Sequence, residues 1–253
     1  MGRLFTARLI NRLLRMRIGK KPLTPPASAN LQALDHLDGA SPADSYTYTV
    51  VDIETTGLDL KHSRIVSIGA FKITQGQIHL GRMFDRLVNP GRDIPPASIT
   101  VHGIVPAMVA AAPTGPEALD AFLQYLGSDI LVAHNAMFDL NFMNRLMVAC
   151  HGFTLQNLTI DTRALCDHII LPKLFRPMPR QTKLLGRGAI NPALHPHRKS
   201  LEEIAHLLGI KVHQRHTAVG DALAAAMIFQ RGLAMLKHRS RGRLNDLIRA
   251  SSF

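Results

Sequence analysis

Three β-rich segments follow one another early in the chain, and this order constrains the fold more than any other feature. Tyr46–Ile53, Arg64–Ile73 and Ile78–Val88 are rich in β-branched and aromatic residues, which favours strands. A short turn at Gln75 and Gly76 separates the last two, so they are predicted to pair as an antiparallel hairpin. Such a hairpin leaves an apolar face that later elements must cover.

The segments that follow alternate between helix and strand. The predicted elements are a helix at Pro116–Leu126, a strand at Asp129–Ala133, a helix at Ala136–Val148, a strand at Thr154–Ile160, and helices at Thr162–Ile169, Ser200–Leu208 and Thr217–Leu236. Paired strands followed by alternating helices and strands indicate an α/β layer fold with a mixed sheet.

The chain divides by composition into a folded body and flanking segments. The body is predicted at residues 46–237, after a proline-containing linker at 22–45 and a basic amphipathic helix within 1–21. Residues 171–199 form a basic, proline-rich insert, either a lid or nucleic-acid clamp or an inert loop, and 238–253 form a basic tail.

Basic charge is concentrated in three stretches of a chain whose formal net charge is +12. Residues 1–21 and 172–199 each carry seven basic residues and no acid, and 231–253 carry six against Asp246. Phosphate backbones or anionic membrane surfaces are the natural partners of such stretches.

The N-terminal helix has an apolar side, and its basic residues lie on the flank of that side. The apolar side consists of Phe5, Leu9, Leu13 and Met16. This pattern is typical of a helix that contacts an anionic membrane or a protein partner. No run of 18 apolar residues exists, so no transmembrane segment is expected. Cys150 and Cys166 have no partner at metal-ligand spacing, which favours a reducing cytoplasm.

Two acids stand at the end of the first predicted strand. Asp52 and Glu54 are two residues apart, so both carboxylates lie on one face of the strand. Adjacent acids are costly unless a cation pairs with them, and hard oxygen ligands suit Mg²⁺ or Mn²⁺. Taken alone, the pair is also compatible with a solvated strand end.

Three further candidates lie where helices begin. Asp139 follows the fourth strand into a helix, a position where sites assemble in α/β sheets but where an acid can also complement the helix dipole. His216 precedes the last long helix and Asp221 lies inside it, which allows the imidazole to reach over a metal bound by Asp221. A helix cap and a surface acid are the simpler alternative.

Together these segments resemble the motifs of the DEDDh exonucleases, the DnaQ-like proofreading group that includes the DNA polymerase III epsilon subunit. The matching segments are Val50–Leu58, His134–Asp139 and His216–Ala222. The resemblance covers Tyr46–Leu236 and implies a ribonuclease H-like fold, with a five-stranded mixed sheet whose second strand is antiparallel.

The resemblance also implies a two-metal mechanism with Mg²⁺ or Mn²⁺. Asp52, Glu54 and Asp221 would bind one ion, Asp52 would also touch the second, and Asp139 would complete the second ion's shell. The two ions would clamp the scissile phosphate, and His216 would act as general base.

Six further residues are implied to bind the substrate: Thr56, Gly57, Leu58, His102, Asn135 and Phe138. The first three would hold the 3'-terminal nucleotide, and the histidine would contact its sugar or base. The asparagine would position the strand, and the phenylalanine would stack on a base or support the pocket.

The expected activity is therefore 3'→5' hydrolysis at the end of single-stranded or frayed DNA, in repair or proofreading. An exoribonuclease acting on RNA ends or short oligoribonucleotides is the main alternative, since contacts to the 2'-hydroxyl decide between them. A non-catalytic nucleic-acid-binding or membrane-docking adaptor is a more remote alternative, because four unused acids in one cluster would repel one another.

Overall fold

A computed structural model describes most of the chain. The described residues are 3–18, 22–170, 172, 200–238 and 242–251. The predicted basic insert at 171–199 falls almost entirely outside these residues.

The described residues form one mixed sheet of five strands. The strands are β1 (Thr47–Thr55), β2 (Ile65–Thr74), β3 (Gln77–Leu87), β4 (Ile130–Ala133) and β5 (Thr159–Asp161). Their order across the sheet is β3-β2-β1-β4-β5. β2 runs antiparallel to β1 and β3, whereas β1, β4 and β5 are parallel. This confirms the predicted five-stranded sheet with its antiparallel second strand.

Ten α-helices within the described ranges surround this sheet. They are α1 (Arg3–Ile18), α2 (Pro25–Asn30), α3 (Pro96–His102), α4 (Pro106–Val109), α5 (Gly115–Leu126), α6 (Met137–His151), α7 (Thr162–Leu165), α8 (Leu201–Leu207), α9 (Ala218–Lys237) and α10 (Leu244–Ala250). The predicted capping box begins α8: Ser200 Oγ accepts the Glu203 N–H at 3.2 Å, and Glu203 Oε2 accepts the Ser200 N–H at 2.7 Å.

Side-chain alternation along β1 divides the core between the two faces of the sheet. Tyr48 and Val50 pack on the α9 side, where the Tyr48 and Phe229 rings meet edge-on with centroids 4.7 Å apart. Val51 and Ile53 pack on the opposite side, against α5 and α6. The acids that alternate with them therefore emerge on the α9 side of the sheet.

By length and composition, α9 is the one helix in the described part of the chain that could cross a membrane. However, 61% of its apolar stretch is buried inside the fold. The helix packs against β1 and β2 as a core helix does, so its hydropathy is weak support for a membrane span.

Gly69 allows α9 to begin directly on the sheet. This glycine is the β2 partner of Asp52. A Cβ atom at Gly69 would lie 2.3 Å from both the Ala218 carbonyl carbon and the Val219 nitrogen. The first turn of α9 therefore contacts the sheet beside the β1 acids, at a distance that only a glycine permits.

We expect Gly69→Ala to lower the free energy of unfolding by about 2 kcal/mol, because the opposing atoms are backbone and cannot rotate away. Chemical denaturation measures this change. Gly81→Ala on β3 is the matched control, since nothing lies within 4 Å of its added Cβ atom. Equal effects of the two substitutions would contradict the close approach.

The segment predicted to be a linker, 22–45, instead packs on the body. Ala27 and Leu31 are buried in one cluster with Leu119 of α5. Asn30 Oδ1 accepts the Gln156 N–H at 3.0 Å. The prolines of this segment predicted a loop, but its alanine and leucine side chains pack against α5 and α6.

Within the predicted basic tail, residues 242–251 are also part of the body. α10 buries Leu244 and Leu247 completely. The Leu244 N–H donates to Ser41 O, and the Asn245 N–H donates to Gly39 O, both at 2.9 Å. The two flanking segments thus stabilise each other, a contact between distant residues that composition does not reveal.

The N-terminal helix keeps its apolar side in solvent. Phe5 and Met16 are 54% and 66% exposed. Two of its basic residues contact the body rather than an anionic partner: Arg8 Nε donates to Leu34 O at 3.1 Å, and Arg15 Nε donates to Leu31 O at 2.7 Å.

Candidate active site

Three carboxylates from distant parts of the chain converge beside the end of β1. Asp52 and Glu54 leave β1 on the side covered by α9, and Asp221 lies in the first turn of α9. One oxygen of each side chain lies within 4.8 Å of the others. The fold thus brings together three of the four predicted acids.

Asp139, the fourth predicted acid, contacts the backbone of β1 next to Asp52. It is in the first turn of α6 and is buried. Its Oδ1 accepts the Ile53 N–H at 3.2 Å, which fixes it against β1. Its charge raises the pKa of Asp52, so the two carboxylates are close enough to interact.

Burial, followed by mutual repulsion, makes these acids hold protons far more strongly than usual. Burial raises the pKa of Glu54 to about 7, and nearby Asp221 adds to the effect. Burial also raises the pKa of Asp139 to about 8. The pKa of Asp52 lies well above its ordinary value for the same first cause, with added repulsion from its acidic neighbours.

His216 lies at the turn that leads into α9. Its backbone φ is +59°, a left-handed conformation that costs energy for a non-glycine residue. Its side chain is exposed. A positive charge on its imidazole would stabilise the ionised form of Asp221. Gly220 makes the turn possible, because a Cβ atom there would lie 2.1 Å from Gln214 O.

Arg215 is a site residue that the sequence predictions missed. Its Nη1 donates to Asp221 Oδ1 at 2.9 Å, and its Nη2 lies 3.8 Å from Glu202. Its charge lowers the pKa of Asp52 and Glu54 and so partly offsets their repulsion. The adjacent histidine motif offered the one sequence signal, since residue 215 directly precedes it.

Asp161-Thr162 also matches the family pattern, but the sequence prediction gave Asp161 no role in the site; in the structure it holds the loop before α6. Its carboxylate accepts the N–H groups of Asn135 at 3.0 Å and Ala136 at 3.2 Å. Asn135 has a φ of +59°, so these hydrogen bonds stabilise an unfavourable backbone conformation. The position of Asp161 at the end of β5, on the edge where the other acids lie, was a usable signal.

The loop after β1 places three of the predicted substrate residues. The Thr56 hydroxyl accepts the Arg64 N–H at 3.0 Å, so this threonine fixes the loop. Gly57 has a φ of +149°, and a Cβ atom there would meet Ser63 Oγ at 3.0 Å. Leu58 is 82% exposed, as a side chain that contacts a base would be before it meets its substrate.

The other predicted substrate residues differ in exposure. His102 is buried; its Nδ1 accepts the Ile104 N–H at 3.0 Å, while its Nε2 has no hydrogen-bond partner among the described residues. Asn135 is exposed. Phe138 is half-buried and packs on Phe142 with ring centroids 5.1 Å apart, so it supports the wall of the site.

The acid cluster fits a divalent cation. It offers three hard oxygen donors within 4.8 Å of one another, and their raised pKa values show that a positive charge there would relieve repulsion. Asp52, Glu54 and Asp221 are the residues that could hold such an ion.

The sheet order and the acids at the ends of β1 and at the starts of α6 and α9 define a ribonuclease H-like fold. The model of the RNase_T family, described as "Exonuclease", matches residues 49–229. The chain therefore belongs to the exonuclease family, in its DnaQ-like, polymerase-III-epsilon-type group.

Relatives of similar sequence carry the names of DNA polymerase III proteins. A DNA polymerase III subunit epsilon-like protein of Rhodobacter capsulatus is 39% identical over 202 residues, which cover 79% of this chain and 25% of that protein. The DNA polymerase III subunit epsilon of Aquifex aeolicus is 31% identical over 183 residues, which cover 72% of this chain and 78% of the relative. The chain thus spans only a quarter of the Rhodobacter relative.

Two solved structures share the fold. Escherichia coli exonuclease I in complex with a dT13 oligonucleotide has a TM-score of 0.59 at 14% identity, over 77% of this chain and 42% of that chain. Exonuclease X in complex with 5' overhanging duplex DNA has a TM-score of 0.52 at 22% identity, over 81% of this chain and 99% of that chain. At these identities the likeness shows the fold.

Proposed function

We propose that this protein is a metal-dependent 3'→5' exonuclease that removes nucleotides from the end of single-stranded or frayed DNA. The observation that carries the proposal is the convergence of Asp52, Glu54 and Asp221 within 4.8 Å, with Asp139 against the same strand. Proofreading or repair in the cytoplasm is the role that we attach to this activity.

The four acids are proposed to bind two divalent ions, Mg²⁺ or Mn²⁺. Asp52, Glu54 and Asp221 would hold one, and Asp52 and Asp139 the other. Such ions, when bound, supply Lewis-acid stabilisation of the attacked phosphate and of the leaving oxygen. Asp139 and Asp221 are buried, and the hydrogen bond from Arg215 keeps Asp221 oriented.

His216 is proposed to take the proton from the attacking water. Its exposed imidazole stands at the turn into α9, above the helix that carries Asp221. The proton leaves the water oxygen as that oxygen bonds to phosphorus, and the bond to the 3'-oxygen of the remaining strand breaks. The product is a nucleoside 5'-monophosphate.

The terminal nucleotide is proposed to lie between the loop after β1 and α3. Leu58 would contact the base, since its side chain is largely exposed. Gly57 lets the backbone approach the sugar closely. Because Nδ1 of His102 accepts the Ile104 N–H, Nε2 carries the proton and would donate a hydrogen bond to the sugar or base, which supports a substrate contact there.

The direct test is a 5'-labelled single-stranded oligonucleotide incubated with Mg²⁺ or Mn²⁺ and resolved on a sequencing gel. A ladder of products shortened one nucleotide at a time is expected. Matched DNA and RNA strands distinguish an exodeoxyribonuclease from an exoribonuclease. Binding without shortening under either metal would overturn the proposal in favour of a non-catalytic adaptor.

His216→Asn is expected to reduce kcat by about 10²–10⁴-fold, because general-base catalysis contributes that much. Metal affinity, followed by Mn²⁺ titration, should change little, since His216 is not among the proposed ligands. His213→Asn is the matched control: it alters an exposed histidine three residues earlier and should retain activity. An equal loss in both variants would point to a structural role for the turn.

A further inference from the structure

A cavity of about 570 Å³ lies next to the candidate site and is not used by the proposed chemistry. Its volume is that of a small-ligand pocket. Phe142, Leu146 and Ala149 of α6 form one wall. Phe142 packs on Phe138, which directly precedes Asp139 at the start of α6. The cavity therefore begins about one helical turn from Asp139.

The rim of this cavity is basic. Lys61, Arg64 and Arg145 line it, and none of its lining residues is acidic. Asp59 is the nearest acid to Lys61 along the chain; its Oδ2 lies 2.6 Å from His62 Nδ1, and its charge also acts on Arg145. The lining itself contains three basic side chains and no acid among the described residues, so the rim favours an anion.

The basic residues also fix the loop that joins the cavity to the candidate site. Arg145 donates to the carbonyls of Leu60 and Ser63, and Arg64 Nη1 donates to Ser63 O at 3.0 Å. This loop directly continues Gly57 and Leu58, which are proposed to hold the terminal nucleotide. These hydrogen bonds hold the loop against α6, and backbone carbonyls rather than carboxylates accept them.

We infer that this cavity is a second nucleotide subsite, which holds the sugar-phosphate backbone of a nucleotide on the 5' side of the one removed. The inference rests on the proposed exonuclease function, since it needs a strand with its 3' end at the acids. The apolar wall contacts base and sugar, and the basic rim contacts phosphate. Neither contact distinguishes one base from another. The subsite therefore strengthens the binding of longer strands, whatever their base sequence.

The test compares Ala149→Glu with Val148→Glu. Both add one negative charge at exposed neighbouring positions of α6, but only residue 149 lines the cavity. Binding of 5'-labelled oligothymidylate is measured by fluorescence anisotropy in EDTA, so no hydrolysis interferes. Ala149→Glu should weaken binding of a strand of about 12 nucleotides by about tenfold, whereas Val148→Glu should change it less than about twofold.

Length dependence provides the second readout. Binding of thymidine 5'-monophosphate should be the same in both variants, because a single nucleotide at the acids has no 5' neighbour to enter the cavity. Lys61→Ala should lower the salt dependence of long-strand binding by about 0.7 in log–log slope, the value for one lost phosphate contact on a single strand. Lys237→Ala, at the far end of α9, is the control for this substitution.

The outcomes separate the subsite from the catalytic function. If Ala149→Glu and Val148→Glu bind long strands equally well, and Lys61→Ala retains the wild-type salt slope, the subsite is overturned even though hydrolysis persists. If the wild type binds strands but shortens none, the exonuclease proposal fails. Selective loss of long-strand binding in Ala149→Glu would still support a strand-binding cavity in that case.

Discussion

Asp52→Asn should abolish hydrolysis, with a loss of at least about 10³-fold in kcat, and should stabilise the metal-free protein. Asp52 stands between the other three acids, so it is the residue that both proposed ions would share. Its pKa is raised by burial and then by Asp139, Asp221 and Glu54. Keeping Asp52 negatively charged therefore costs free energy in the folded protein. A neutral amide of the same shape removes that cost.

The two readouts are the rate of oligonucleotide shortening and the thermal unfolding midpoint in EDTA at pH 8. Stabilisation is expected to be on the order of 1–3 kcal/mol. Asp85→Asn, which neutralises an exposed acid on β3, is the matched control and should leave both readouts unchanged. Retained activity in Asp52→Asn would refute the site, and loss of stability would show that Asp52 is structurally required.

The metal-free protein should become less stable as the pH rises from about 5 to 8. The pKa of Glu54 is raised from 4.5 to about 7, and that of Asp139 from 3.8 to about 8. Within this window the folded protein keeps protons that the unfolded chain has lost, so raising the pH favours unfolding. Above about pH 8 both states have released these protons, and the dependence should level off.

Denaturation in EDTA across this pH range measures the effect, which is expected to be on the order of 3 kcal/mol. Mg²⁺ or Mn²⁺ should reverse it at the alkaline end, because ion binding requires the deprotonated carboxylates. Asp139→Asn should flatten the curve, while Asp85→Asn should not. The same pH dependence in Asp139→Asn as in the wild type would be incompatible with the raised pKa of Asp139.

Much of the site was accessible from sequence, because its acids lie at recognisable positions in short local patterns. Period-two alternation on β1 placed Asp52 and Glu54 on one side of the strand, and the structure agrees. The residues that position them were not accessible in this way. Arg215, Asp161 and Gly69 act through hydrogen bonds or close contacts with residues far away in the chain.

The boundaries of the body were the weakest part of the sequence prediction. Residues 22–45 have a loop-like composition, yet their small apolar side chains pack on α5 and α6. The tail has a basic composition, yet α10 buries its leucines against neighbouring elements. Burial depends on which surfaces meet, and composition records only whether a segment has apolar residues to bury.

The sequence by itself determined the hairpin that begins the sheet and the positions of the proposed acids and of the histidine beside them, because each lies in a local periodic pattern or a short motif. The tertiary structure decided that three of these carboxylates meet within 4.8 Å and that their pKa values rise. It also decided that a basic cavity stands beside them. These properties arise from distances and desolvation between residues far apart in the chain, which exist only once the chain has folded.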